Sequence, residues 1–145
     1  MSETQARVKW LEGTLSLAQA GKHGVVLDRA VSLGGAEAGF KASELLLLSL
    51  GGCLSSTLVG VTKARNLSLV KADIQLLGKT VPNPERFGEI EVEVDLAVSD
   101  TEGIALAETE LDKLLELAER GCFVTNTLRS AIQINIRRAR TTVTV

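Results

Sequence analysis

Tyrosine is absent, histidine occurs once, and the aromatic side chains are Trp10 and three phenylalanines. So sparse a set cannot supply the stacked rings of a base-binding or carbohydrate-binding platform. A net charge of −2 with no basic cluster offers phosphates no cationic stripe, so nucleic acid is not an expected partner. The lone His23 has no cysteine or acidic residue at ligand spacing, which argues against a zinc site. It lies in Ala20–Gly24, a hairpin signal, and reads as a solvated turn residue. The glycine-rich Gly34–Gly39 carries no GxGxxG fingerprint, so nucleotide binding is not supported. Both prolines fall in Pro82-Asn83-Pro84, a loop between strands. Cysteines number two, and Met1–Lys9 is polar rather than leader-like. The expectation is a cytoplasmic chain with free thiols and no structural disulfide.

What the chain does have is one long uncharged run, Ser43–Asn66, with nothing ionisable except Cys53 between Glu44 and Lys63. Leucine-rich and too long for one strand, it predicts a helix, with Ser43 as N-cap and Glu44 at the positive end of the dipole. Asn66 is the expected stop. Seven leucines leave it no polar face, so both sides need protein cover. Its length is marginal for a membrane span and its serines and glycines argue against one, so no membrane is expected.

Alternation predicts strands over 6–12, with Val8 and Trp10 on the buried face, then over 14–18, 25–28 and 68–78, with Val70, Ala72, Ile74 and Leu76 inward. The cleanest alternation is 87–98, where Glu89, Glu91, Glu93 and Asp95 form an acid row that reads as a solvated face. An amphipathic helix is expected over 100–120, with Gly121 as its stop and a short second helix from Cys122. Ile132, Ile134 and Ile136 alternate as a last strand. The fold class is α+β, a single domain over 1–145 with antiparallel sheets wrapped around a long central buried helix.

The residues alone leave the cysteines open. Cys53 in an apolar helix is either a small core filler or, beside Gly51 and Gly52, a sulfur that another group can approach closely. Cys122, just after the Gly121 stop, is better placed to be a thiolate. Together they could be an attacking and resolving pair, if the fold brings them together.

Two segments carry a family resemblance. Ser43-Glu44-Leu45-Leu46-Leu47-Leu48-Ser49-Leu50-Gly51-Gly52-Cys53 resembles the core helix of the OsmC/Ohr proteins, the osmotically inducible and organic hydroperoxide resistance proteins. Cys122-Phe123-Val124-Thr125-Asn126-Thr127-Leu128 is similar to their second-cysteine segment, closer to the general OsmC-like branch. The resemblance implies an intertwined homodimer with active sites at the subunit interface. It implies a thiol peroxidase in which Cys53 attacks an organic hydroperoxide or hydrogen peroxide and becomes a sulfenic acid. Cys122 then closes a disulfide, and an external dithiol restores the pair. No metal, haem, flavin or other cofactor is implied.

Leu11 or Glu12 stands where the family carries a catalytic arginine, leaving Arg7, Lys9 and Arg29 as candidate cations. Glu44 is the candidate carboxylate to orient that cation, and Phe123 replaces a proline. Two alternatives stand beside this reading. One is a non-catalytic dimer of the same fold binding a small apolar ligand. The other is a hot-dog-type thioesterase, for which no acidic or histidine base is evident.

Overall fold

The first sheet follows from short alternating runs separated by glycine. In the computed structural model, which describes residues 2–139, β1 (Arg7–Glu12), β2 (Leu15–Ala20) and β3 (His23–Leu27) form an antiparallel meander. Gly13 and Gly21, both at positive φ, make its two tight turns, and His23 opens β3 opposite Ala20. The face expected to be half-buried is not. Val8 is 61% and Trp10 67% exposed, because these strands pack on one another and, among the described residues, no helix lies flat against them.

Asp28, buried at the end of this sheet, holds the glycine-rich loop that follows. Its carboxylate accepts the Thr14 hydroxyl, the Arg29 amide at 2.8 Å, and the Ala36 and Ala38 amides at 3.0 and 3.1 Å. The Thr14 and Ala38 bonds lead in holding its pKa down to about 2, against a smaller opposing effect of burial. A depressed folded-state pKa contributes stability that is present above the ordinary value of 3.8 and lost as pH falls through about 2. Asp28→Asn is therefore expected to lower the melting temperature at pH 7. The gap to the unaltered chain should close between about pH 4 and pH 2, and thermal denaturation across that range checks it.

The uncharged run forms α1 (Ala42–Ala64). Lys41 rather than Ser43 is the N-cap residue, and Glu44 closes the end by accepting the Lys41 amide at 2.9 Å while donating its own to the Lys41 carbonyl at 3.0 Å. Asn66 at φ 55 stops the chain in the left-handed region, as expected. Leu50, Leu54, Leu58 and Thr62 make one buried stripe against the second sheet and the helix over Glu108–Gly121. The opposite stripe, including Leu48, Gly52, Ser56, Val59 and Gly60, is exposed. Within one chain, then, the helix is covered on one side where cover on both was expected. By length and composition α1 is the one described helix that could cross a bilayer, yet its buried stripe is packed on protein.

β4 (Ser68–Val81) and β5 (Arg86–Ser99) form a long antiparallel ribbon. A bulge between Leu69 and Lys71 turns Leu69 inward and leaves Val70 66% exposed, so Val70 does not face the core as alternation alone predicted. Ala72, Ile74 and Leu76 do face α1. The acid row of β5 is solvated and meets lysines from β4: Lys71 pairs with Asp95, and Lys79 with Glu89 and Glu91.

α2 (Glu108–Gly121) begins later than its apolar pattern suggested. Asp100 accepts the amides of Glu102 and Ile104 at 2.9 Å, and Gly103 sits at φ 80, so residues 100–104 close a turn instead of a helical start. α3 (Phe123–Arg129) follows at once. The last strand expected around Ile132, Ile134 and Ile136 is not formed. Residues 131–139 carry no regular structure.

Candidate active site

The core assembles around both thiols. Leu50, Leu54 and Leu58 of α1, Ala118 of α2 and Cys122 make one buried cluster, and Cys53 packs against it. α2 can come this close because its contact residues are small. A Cβ at Gly121 would lie 3.2 Å from the Thr57 methyl, and Ala118 is fully buried. Thr57 in turn donates its hydroxyl to the Cys53 carbonyl at 2.8 Å, which lets a polar side chain sit part-buried one turn beyond the sulfur.

The two cysteines differ in setting. Cys122 is the junction of α2 and α3, with no exposed surface. Burial pushes its thiol pKa up. The Thr125 hydroxyl and amide, the Cys53 thiol and the Val124 amide act the other way and together bring it below the ordinary value. Cys53 is half-buried. Its position on the helix lies between the buried stripe of Leu50 and Leu54 and the bare stripe of Ser56 and Gly60. Both are free thiols, packed in one core cluster and not bonded to each other.

Thr125 is the side chain acting on Cys122 that the sequence did not single out. Its signal was there, a hydroxyl three residues after the residue that caps a helix. The other site candidates are placed elsewhere. Glu44 lies nine residues before Cys53, about 13.5 Å of helix rise. There it caps α1 and pairs with Lys41 at 3.2 Å, which together lower its pKa. Arg7 and Lys9 are exposed on β1, and Arg29 is exposed in the loop after β3. Among the described residues, the groups that act on Cys122 include no cation. One chain thus brings Cys53 and Cys122 into one cluster and leaves Glu44 and the three candidate cations apart from them.

A family model described as OsmC-like protein matches residues 34–137, a span that takes in α1, both sulfurs and everything between. This chain belongs to the OsmC-like family. The resemblance read from the two cysteine segments is the family the match assigns, and it decides against the hot-dog alternative. No curated protein matches the chain in sequence.

Solved structures share the OsmC-like fold. An OsmC-like protein from Vibrio cholerae superposes with a TM-score of 0.79 at 15% identity, covering 90% of this chain and 96% of that one. An OsmC-like protein from Mycoplasma pneumoniae gives 0.74 at 20% identity, with 88% of each chain covered. The organic hydroperoxide resistance protein OsmC from Legionella pneumophila gives 0.62 at 19% identity, covering 89% and 90%. At these identities the likeness is one of fold.

Proposed function

We propose that this OsmC-like chain is a thiol peroxidase that reduces organic hydroperoxides or hydrogen peroxide and works as a homodimer. The observation that carries it is that two free thiols share one core cluster, one half-exposed at the edge of α1 and one buried behind it. The Cys53 thiolate attacks the outer peroxide oxygen, the O–O bond breaks, and the alcohol (water, from hydrogen peroxide) leaves with a proton from solvent. Cys53 is then a sulfenic acid. The Cys122 thiolate attacks that sulfur and hydroxide leaves to become water, forming the disulfide. An external dithiol takes the two oxidising equivalents and returns both thiols. The lowered Cys122 pKa favours the second step, because the thiolate is the nucleophile.

The homodimer reading rests on what one chain leaves bare. The exposed stripe of α1 carries Gly52, Ser56 and Gly60 at four-residue spacing. A Cβ at Gly52 or Gly60 would meet nothing within 4 Å, whereas one at Gly51 would lie 2.8 Å from Leu76 Cδ1. The fold of the single chain accounts for Gly51 and gives no packing reason for the other two. A second α1 crossing there would supply it, since small residues let helix backbones approach closely. The uncovered faces of β1–β3 point the same way. In this assembly the activating cation, Arg7, Lys9 or Arg29, comes to Cys53 from a neighbouring chain, with Glu44 at the helix end available to orient it.

The test is peroxide consumption with a small dithiol as reductant. Steady loss of an organic hydroperoxide that depends on the protein is expected. A protein that takes up an apolar ligand but leaves the peroxide concentration at its uncatalysed decay would favour the binding alternative.

A further inference from the structure

α2 and α3 meet without a linker. Cys122 is the single residue between them, closing one helix and opening the next with its backbone at φ −75 and ψ 112. Such a break leaves the last carbonyls of α2 without partners in their own helix. The Cys122 amide donates to the Glu119 carbonyl at 3.2 Å. The next carbonyl, that of Arg120, accepts the side-chain amide of Asn126 at 3.0 Å. The backbone amide of Asn126 donates to the Cys122 carbonyl, also at 3.0 Å, as the first helical bond of α3. One residue of α3 therefore ties down both the end of α2 and the cysteine that follows it.

Asparagine is a poor choice for the middle of a seven-residue helix, because its side chain competes with the backbone for hydrogen bonds. Here that competition is turned to the neighbouring helix. The other tie across the junction, the Arg129–Glu119 ion pair, is exposed and adds little. On the inner side Cys122 is packed with Leu54, Leu58 and Ala118, and the Thr57 methyl leaves Gly121 no room for a side chain. The end of α2 is thus fixed from within. The freedom left to Cys122 is a swing of α3 about the junction, which the two Asn126 bonds restrain.

We propose that Asn126 is a positioning residue for Cys122, clamping the α2–α3 junction so that this sulfur stays turned into the cluster it shares with Cys53. The consequence for chemistry rests on the thiol peroxidase reading. There the Cys122 thiolate attacks the Cys53 sulfenic sulfur, the S–S bond forms, the S–O bond breaks, and the departing hydroxide takes a proton to become water. Asn126 touches neither sulfur in that step. By limiting where Cys122 can go, it raises the effective concentration of one sulfur at the other.

Asn126→Ala removes the side-chain donor and keeps the backbone amide, and alanine is the better helix former, so α3 itself is not weakened. Asn126→Asp keeps the shape and puts an acceptor where the donor was. With one equivalent of an organic hydroperoxide, both variants should form the Cys53 sulfenic acid at the rate of the unaltered chain. Both should then close the disulfide about fivefold more slowly, in line with the net worth of one hydrogen bond. In mixtures of reduced and oxidised dithiothreitol, the equilibrium should shift about fivefold toward the dithiol form, a potential that a merely structural side chain would not move. Unchanged closure and an unchanged equilibrium in Asn126→Ala would overturn the proposal. So would a loss in Asn126→Ala that is absent from Asn126→Asp, since the aspartate cannot donate. An unaltered chain that leaves the hydroperoxide intact while the dithiothreitol equilibrium still shifts in both variants would refute the peroxidase reading and uphold the clamp.

Discussion

Cys53→Ser is expected to bring hydroperoxide turnover down to the uncatalysed rate, while Cys122→Ser stops at a sulfenic acid that a dimedone-type probe captures. The asymmetry follows from the two settings. Cys53 is the sulfur with exposed surface, at the margin of α1 where a peroxide can arrive. A serine hydroxyl there has the shape but not the nucleophilicity, since it remains protonated at any working pH. Cys122 has no exposed surface and so meets only what is already bound to Cys53. Without it the sulfenic acid has no internal partner and persists. Neither substitution removes much volume, so the core around Leu54, Leu58 and Ala118 should keep its packing. Circular dichroism and melting temperature close to those of the unaltered chain are part of the expectation. Equal turnover in Cys53→Ser and the unaltered chain would exclude the mechanism.

Gly60→Leu is expected to abolish the dimer and leave the single chain folded. The added side chain points into open space in the isolated chain, so nothing within it resists the change. Leucine is also the better helix former, by somewhat less than the roughly 1 kcal/mol that separates glycine from alanine, which should stabilise α1 taken alone. Only a second helix lying along Gly52, Ser56 and Gly60 would be pushed away. Sedimentation or light scattering should report twice the chain mass for the unaltered protein and the chain mass for the variant. Peroxide turnover should fall with the dimer, because the activating cation then has no chain to come from. A variant that remains dimeric would remove this stripe from the interface.

The elements that a local pattern specifies were legible. The uncharged run between Glu44 and Lys63 could be little else than α1, and the spacing of Ile90, Val94 and Leu96 gave β5 its inner face. Positions set by competition between local and nearby signals were not. Lys41 displaced Ser43 as N-cap because Glu44 can close the helix end from N3. Asp100 and Gly103 held back a helix that Ile104 and Ala107 otherwise extended in the apolar pattern. A bulge, which carries no compositional mark, sent Val70 outward.

The site was legible in part. Each cysteine could be singled out beside its glycine, and the resemblance supplied the expectation that they pair. Their meeting depends on the small contact residues Ala118 and Gly121, whose meaning appears only once α2 lies on α1. Asp28, the most heavily bonded carboxylate among the described residues, went unremarked because three of its four partners are backbone amides that no side-chain motif announces.

The most direct measurement is the intact mass and free-thiol count after one equivalent of an organic hydroperoxide, with no reductant present. A thiol pair that works as described loses two hydrogens from its mass and both titratable thiols, and digestion yields Cys53 and Cys122 on linked peptides of one chain. Both thiols retained at an unchanged mass, with the peroxide left intact, would contradict the account.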